Sequence, residues 1–161
     1  MHTGQVLAPF ATNGLFQTRK PTMSDNNTIL YVGKTHTTGG RNGQSRSSDG
    51  RLDVTLTQFG AQGTGTNPEQ LFAAGWSACF IGAMGRAAQE RGLRLPADAV
   101  VDAEVSLVNN PEEGFFLQAQ LNVSLPGFDQ ALAQSIVDRA HQLCPYSKAT
   151  RGNIKAVLTA V

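Results

Sequence analysis

No stretch of the 161 residues stays apolar for the roughly 18–20 positions that a bilayer-crossing helix needs. The longest apolar run, LFAAGWSACFIGAMG at 71–85, is shorter and carries Gly75, Ser77 and Gly82, so a buried helix is expected there and no membrane partner. An excess of one charge is also missing. Lys and Arg number 13, Asp and Glu 12, and the formal net charge is +1. Without a basic run interleaved with aromatics, nucleic acid is excluded as a partner. The opening MHTGQVLAPFATNG lacks a charged segment followed by an apolar one, so secretion is not indicated and a cytoplasmic chain is expected. Cysteine is scarce, with Cys79 and Cys144 the only two. They lie too far apart for a thioredoxin-type C-x-x-C. With His2, His36 and His141 scattered, they also lack the spacing of metal ligands, so neither metal nor cofactor is expected. Reducing compartments keep thiols reduced, which makes a structural disulfide a poor reading and a redox pair a better one.

Residues 1–27 are rich in Thr, Asn, Gly and Pro and hold no acid before Asp25. They read as an N-terminal extension outside the core fold: a surface tail, a targeting segment, or residues ahead of a natural start at Met23. Residues 28–161 form the expected single domain. Its alternating, β-branched segment 28–35 reads as a strand, followed by the turn Thr38-Gly-Gly-Arg-Asn-Gly and a polar return strand. Another half-buried strand starts at Leu52, and 60–65 is a glycine-rich loop. Asn67 as cap, Pro68 at the first turn and Glu69 at the positive dipole end then open a helix, which runs to Arg91 with Gly92 as its stop. Two strands, 99–108 and 115–125, are joined by the Asn109–Gly114 hairpin loop. A helix over 129–143 has apolar residues at Leu132, Ile136, Ala140 and Leu143, and a β-branched strand closes the chain at 154–161. Strands and helices do not alternate, so the fold class is α+β.

Buried inertness is the ordinary fate of a cysteine such as Cys79 in an apolar helix. Two features argue otherwise. Small residues (Ala74, Gly75, Ala78, Gly82, Ala83) surround it and let another backbone approach, and Cys144 stands at a helix end before Pro145. His141, one turn before Cys144, is the only histidine near either sulfur in sequence. A reactive thiol needs its pKa lowered, usually by a nearby cation. Arg41, in the Gly-Gly-Arg turn, is a candidate for that cation, though a plain surface arginine is the alternative. Leu71, Phe72, Trp76, Phe80, Phe115 and Phe116 are apolar residues that either build core or line a pocket for an alkyl chain. Phe72 and the Phe115–Phe116 pair are the better pocket candidates.

Three motifs carry a resemblance. The segment TNPEQLFAAGWSACFIGAM at 66–84, the segment CPYSKATRGNI at 144–154 and Thr38-Gly-Gly-Arg41 together resemble the organic hydroperoxide resistance proteins, a branch of the superfamily of osmotically inducible protein C. This resemblance covers about residues 28–161. It implies an intertwined α+β homodimer with antiparallel sheets wrapped around long central helices. It implies that Cys79 attacks the hydroperoxide, that Cys144 resolves the sulfenic acid into a disulfide, and that Glu69 holds Arg41 against the thiolate. It further implies that the disulfide is reduced by lipoylated proteins or another dithiol. Trp76 stands where this branch usually has tyrosine, a change expected in the pocket wall. One tension follows: Glu69 and Cys79 are ten residues apart, ~15 Å along one straight helix. Either the long side chain of Arg41 bridges that gap, or the helix begins later, or the site mixes two subunits. Other readings of the cysteine pair are a redox sensor or two inert thiols.

Overall fold

Helix α1 (Pro68–Gln89) is the axis on which the rest is built, and local chemistry sets both its ends. The Asn67 side chain accepts from the Gln70 amide at 2.9 Å and Pro68 takes the first position, while Gly92 turns the chain at φ +70° just past the last turn. Losing such a cap costs about 1 kcal/mol. One side of α1 is core. Trp76, Phe80, Met84 and Ala87 are fully buried, and each large apolar side chain of this kind contributes roughly 1.5–3 kcal/mol. On the opposite side the small residues Ala74, Ala78 and Gly82 are exposed.

The computed structural model describes residues 27–161, so the readings made for residues 1–26 lie outside the described residues. Contacts divide the chain into two units, Met1–Val32 and Gly33–Val161. In the second, a small antiparallel sheet holds β1 (Thr35–Thr38), β2 (Gln44–Ser47) and β3 (Asp53–Thr55) in that order. The strand expected over 28–35 is not formed. Pairing starts only at Thr35, opposite Ser47, and Ile29, Leu30 and Tyr31 are exposed. Alternation marks a chain able to pair, but a strand exists only where a neighbour supplies the other half of the ladder.

A second sheet has the order β4 (Val100–Asn110), β5 (Gly114–Ser124), β6 (Lys155–Ala160). β4 and β5 form the expected hairpin, with Asn110 paired to Gly114. β6 lies parallel to β5, which requires a crossover, and α2 (Gln130–Leu143) with the short α3 (Pro145–Thr150) provides it. Ala119, Leu121 and Val123 of β5 alternate into the core, where α1 packs on β4 and α2. The chain is α+β, as its irregular order of elements implies. α3 was not foreseen. Cys144 stands at the end of α2 as expected, and Pro145 after it is the first residue of a new helix, a position that suits a residue without an N–H.

Candidate active site

Two pairs of side chains stand out, each with one member on α1. The first comes from the turn between β1 and β2. Gly39 and Gly40 both take left-handed φ, +68° and +56°, a region costly to other residues, and so bend the chain to present Arg41. Its guanidinium forks onto Glu69 in the first turn of α1, Nη1 donating to Oε2 at 3.0 Å and Nη2 to Oε1 at 2.8 Å. Planar fork against carboxylate is the strongest geometry available to such a pair. Donation from Arg41 holds the Glu69 carboxyl below its ordinary 4.5 despite some burial, and raises the guanidinium further. The ionised pair is therefore complete above pH 4.5 and is lost only as pH falls through the depressed value below it.

Phe72, Leu107, Phe115, Phe116 and Leu117 join Arg41, Pro68 and Glu69 around a cleft of about 290 Å³. One charged clamp set in an apolar wall suits a ligand with a polar head and a hydrocarbon body. Three residues picked from sequence, Phe72, Phe115 and Phe116, thus share a cavity with Arg41. Trp76 does not. It is fully buried, its ring meets Phe72 edge-on at 5.6 Å between centroids, and its Nε1–H donates to Ser147 Oγ at 3.2 Å. The expected change in the pocket wall is corrected accordingly: the indole faces inward because its position on α1 belongs to the core stripe with Phe80 and Met84.

The second pair is sulfur. Cys79 Sγ and Cys144 Sγ are 3.4 Å apart across 65 residues of chain, and both thiols are free. Cys79 is partly exposed, whereas Cys144 is fully buried behind it. Cys144 ends α2 and caps α3, so the second cysteine is delivered by the junction of two helices. Burial pushes the Cys79 thiol above its ordinary value, the backbone N–H of Tyr146 opposes this by donating to it, and Cys144 adds to the rise. Arg41 is not among the groups acting on it. α1 is continuous from Pro68, so the option of a later start is removed. Glu69 and Cys79 are ten residues, ~15 Å, apart along this one helix, and the Arg41 guanidinium lies at the Glu69 carboxylate. In one chain the clamp and the thiol are separate.

Two residues of this region were missed in the sequence, Tyr146 and Ser147. The signal was present in Cys144-Pro145, the opening of a helix whose first amides would point back toward a sulfur. Nδ1 of His141 is buried without a partner, and burial with the nearby Arg151 charge keeps the ring neutral at pH 7. No cluster able to hold a metal occurs among the described residues.

A family model described as OsmC-like protein matches residues 61–159. A relative from Xanthomonas axonopodis pv. citri, named organic hydroperoxide resistance protein, is 49% identical over 135 residues, covering 81% of this chain and 94% of the relative. The crystal structure of the organic hydroperoxide resistance protein OhrB of Bacillus subtilis matches with a TM-score of 0.78 at 41% identity, over 83% of this chain and 100% of that one. A Vibrio cholerae structure, described as a putative organic hydroperoxide resistance protein with captopril bound in one of the active sites, matches with a TM-score of 0.77 at 37% identity, over 84% of this chain and 94% of that one.

Proposed function

Because this chain belongs to the OsmC-like family, we propose that it is a thiol peroxidase that detoxifies organic hydroperoxides, with Cys79 attacking and Cys144 resolving. The observation that carries this reading is the 3.4 Å between two free sulfurs, one partly exposed and one buried behind it. The Cys79 thiolate bonds to the outer oxygen of R–O–OH, the O–O bond breaks, and the departing alkoxide takes a proton to become the alcohol. Cys79 is left as a sulfenic acid. The Cys144 sulfur then bonds to the Cys79 sulfur while hydroxide leaves and takes the Cys144 proton as water. An external dithiol, such as the lipoyl group of a lipoylated protein, returns both thiols by exchange and is itself oxidised to the disulfide. Reducing surroundings such as the cytoplasm suit this cycle.

The separation of clamp and thiol within one chain favours a homodimer in which Arg41 and Glu69 of one subunit serve Cys79 of the partner subunit. The exposed small-residue side of α1 offers a surface on which a second helix can approach closely. Captopril in one of several active sites of the Vibrio cholerae protein is compatible with a repeated site. In such an assembly Arg41 favours the thiolate and hydrogen-bonds the leaving oxygen as its charge develops, with Glu69 fixing the fork. Phe72, Phe115 and Phe116 supply the apolar wall for the R group.

The test is a thiol titration. One equivalent of cumene hydroperoxide should consume both free thiols, and dihydrolipoamide should restore them; thiols that stay fully reduced would point to an inert pair. Replacing Cys144 by Ser should allow one turnover and then stall, with Cys79 driven to sulfinic acid in excess peroxide, read by mass spectrometry. Sustained cycling of that variant with lipoyl reductant would remove Cys144 from the resolving role. Phe116→Ala should lower kcat/KM for cumene hydroperoxide by roughly tenfold, since each methylene-sized loss of contact is worth about 0.8 kcal/mol. The rate with hydrogen peroxide should be nearly untouched, and an equal fall for both substrates would place Phe116 outside substrate contact.

A further inference from the structure

We propose that the buried hydrogen bond from Trp76 to Ser147 is a positioning pair that sets the rate at which Cys144 resolves the Cys79 sulfenic acid. This deepens the peroxidase reading and rests on it. Trp76 lies one turn before Cys79 on α1, and Ser147 lies three residues after Cys144 on α3. Both are fully buried, and Nε1–H donates to Oγ at 3.2 Å. The bond joins the two elements that carry the two sulfurs, one turn from each. It is also the polar end of a docking seam. A Cβ on Gly75 would lie 2.9 Å from Tyr146 Oη, so the phenol rests against the bare backbone of α1. The Tyr146 amide reaches Cys79 itself.

Resolution must bring the sulfurs from 3.4 Å to the ~2.05 Å of a disulfide. That step competes with a second peroxide molecule, which would convert the sulfenic acid to sulfinic acid and release another alcohol. A seam that fixes α3 on α1 raises the share of geometries within reach of bonding. Without Ser147 Oγ, the indole N–H is buried with no acceptor, and α3 gains freedom to drift from the helix beneath it.

Single-turnover stopped-flow with cumene hydroperoxide separates the two steps, and mass spectrometry counts sulfinic Cys79. Ser147→Ala should leave sulfenic acid formation within about twofold. Disulfide formation should slow by about tenfold, or ~1.4 kcal/mol, and the sulfinic fraction should rise in step. Trp76→Phe, which keeps an aromatic ring in the core, should slow the same phase similarly. The double variant should be no slower than either single one, because both remove the same bond. Thermal melts report folding independently, and Trp76→Phe carries the test where Ser147→Ala does not fold. An unchanged disulfide phase in a folded variant, or additive losses in the double one, overturns the proposal while leaving the peroxidase reading intact. Wild-type protein that forms sulfenic acid but no Cys79–Cys144 disulfide overturns both.

Discussion

Cys79→Ser is expected to abolish hydroperoxide consumption, by at least ~1,000-fold, because in the proposed mechanism the Cys79 thiolate is the nucleophile and a serine hydroxyl stays protonated at neutral pH. Cys144 survives in this variant but does not substitute for it: fully buried, it has no surface to offer a bulky peroxide. The loss should therefore be complete with cumene hydroperoxide. It should also be complete with hydrogen peroxide, provided both are read by direct peroxide consumption rather than by a coupled assay. Serine fits the cysteine site with little change of volume, so melting temperature should barely move. Turnover retained in Cys79→Ser would place the chemistry elsewhere.

Arg41→Ala should produce the second largest effect, a fall in rate at neutral pH of about 100-fold or more, the scale of losing one charged contact to a developing oxyanion. Thiol acidity gives the reason. Within a single chain burial holds Cys79 up, and the Tyr146 N–H alone opposes it, so the thiol would be largely protonated at pH 7. A guanidinium brought against it favours the charged thiolate and lowers the pKa. Removing Arg41 should move the pH profile of Cys79 alkylation upward, and under the proposed dimeric arrangement dilution of the wild-type protein should do the same. Glu69→Gln should give a smaller loss, since the guanidinium keeps its charge and loses its aim. The Arg41–Glu69 pair itself should come apart only below pH 4.5, because the carboxyl is held beneath that value, so the loss of activity on acidification above pH 4.5 should follow protonation of Cys79 alone. An alkylation profile identical in wild type and Arg41→Ala would remove Arg41 from the thiol's environment.

Much of this was legible in the chain itself. Asn67-Pro68-Glu69 opened α1 where expected, since a cap, a proline and a carboxylate act over a few residues. The hairpin over 100–124 and the Gly-Gly-Arg turn were readable for the same reason. The pairing of Arg41 with Glu69 was implied by resemblance rather than by spacing.

Tertiary structure decided what local signals leave open. It buried Trp76 and left Phe72, Phe115 and Phe116 on the cleft, although all four are aromatic. It set β6 parallel to β5, made a helix of the residues after Pro145, and left 28–34 without a strand. Above all, it brought two sulfurs 65 residues apart to 3.4 Å. Caps, turns and periodicity act between near neighbours in the chain. The meeting of distant side chains is fixed by how whole faces pack, and that is settled only when every element is in place.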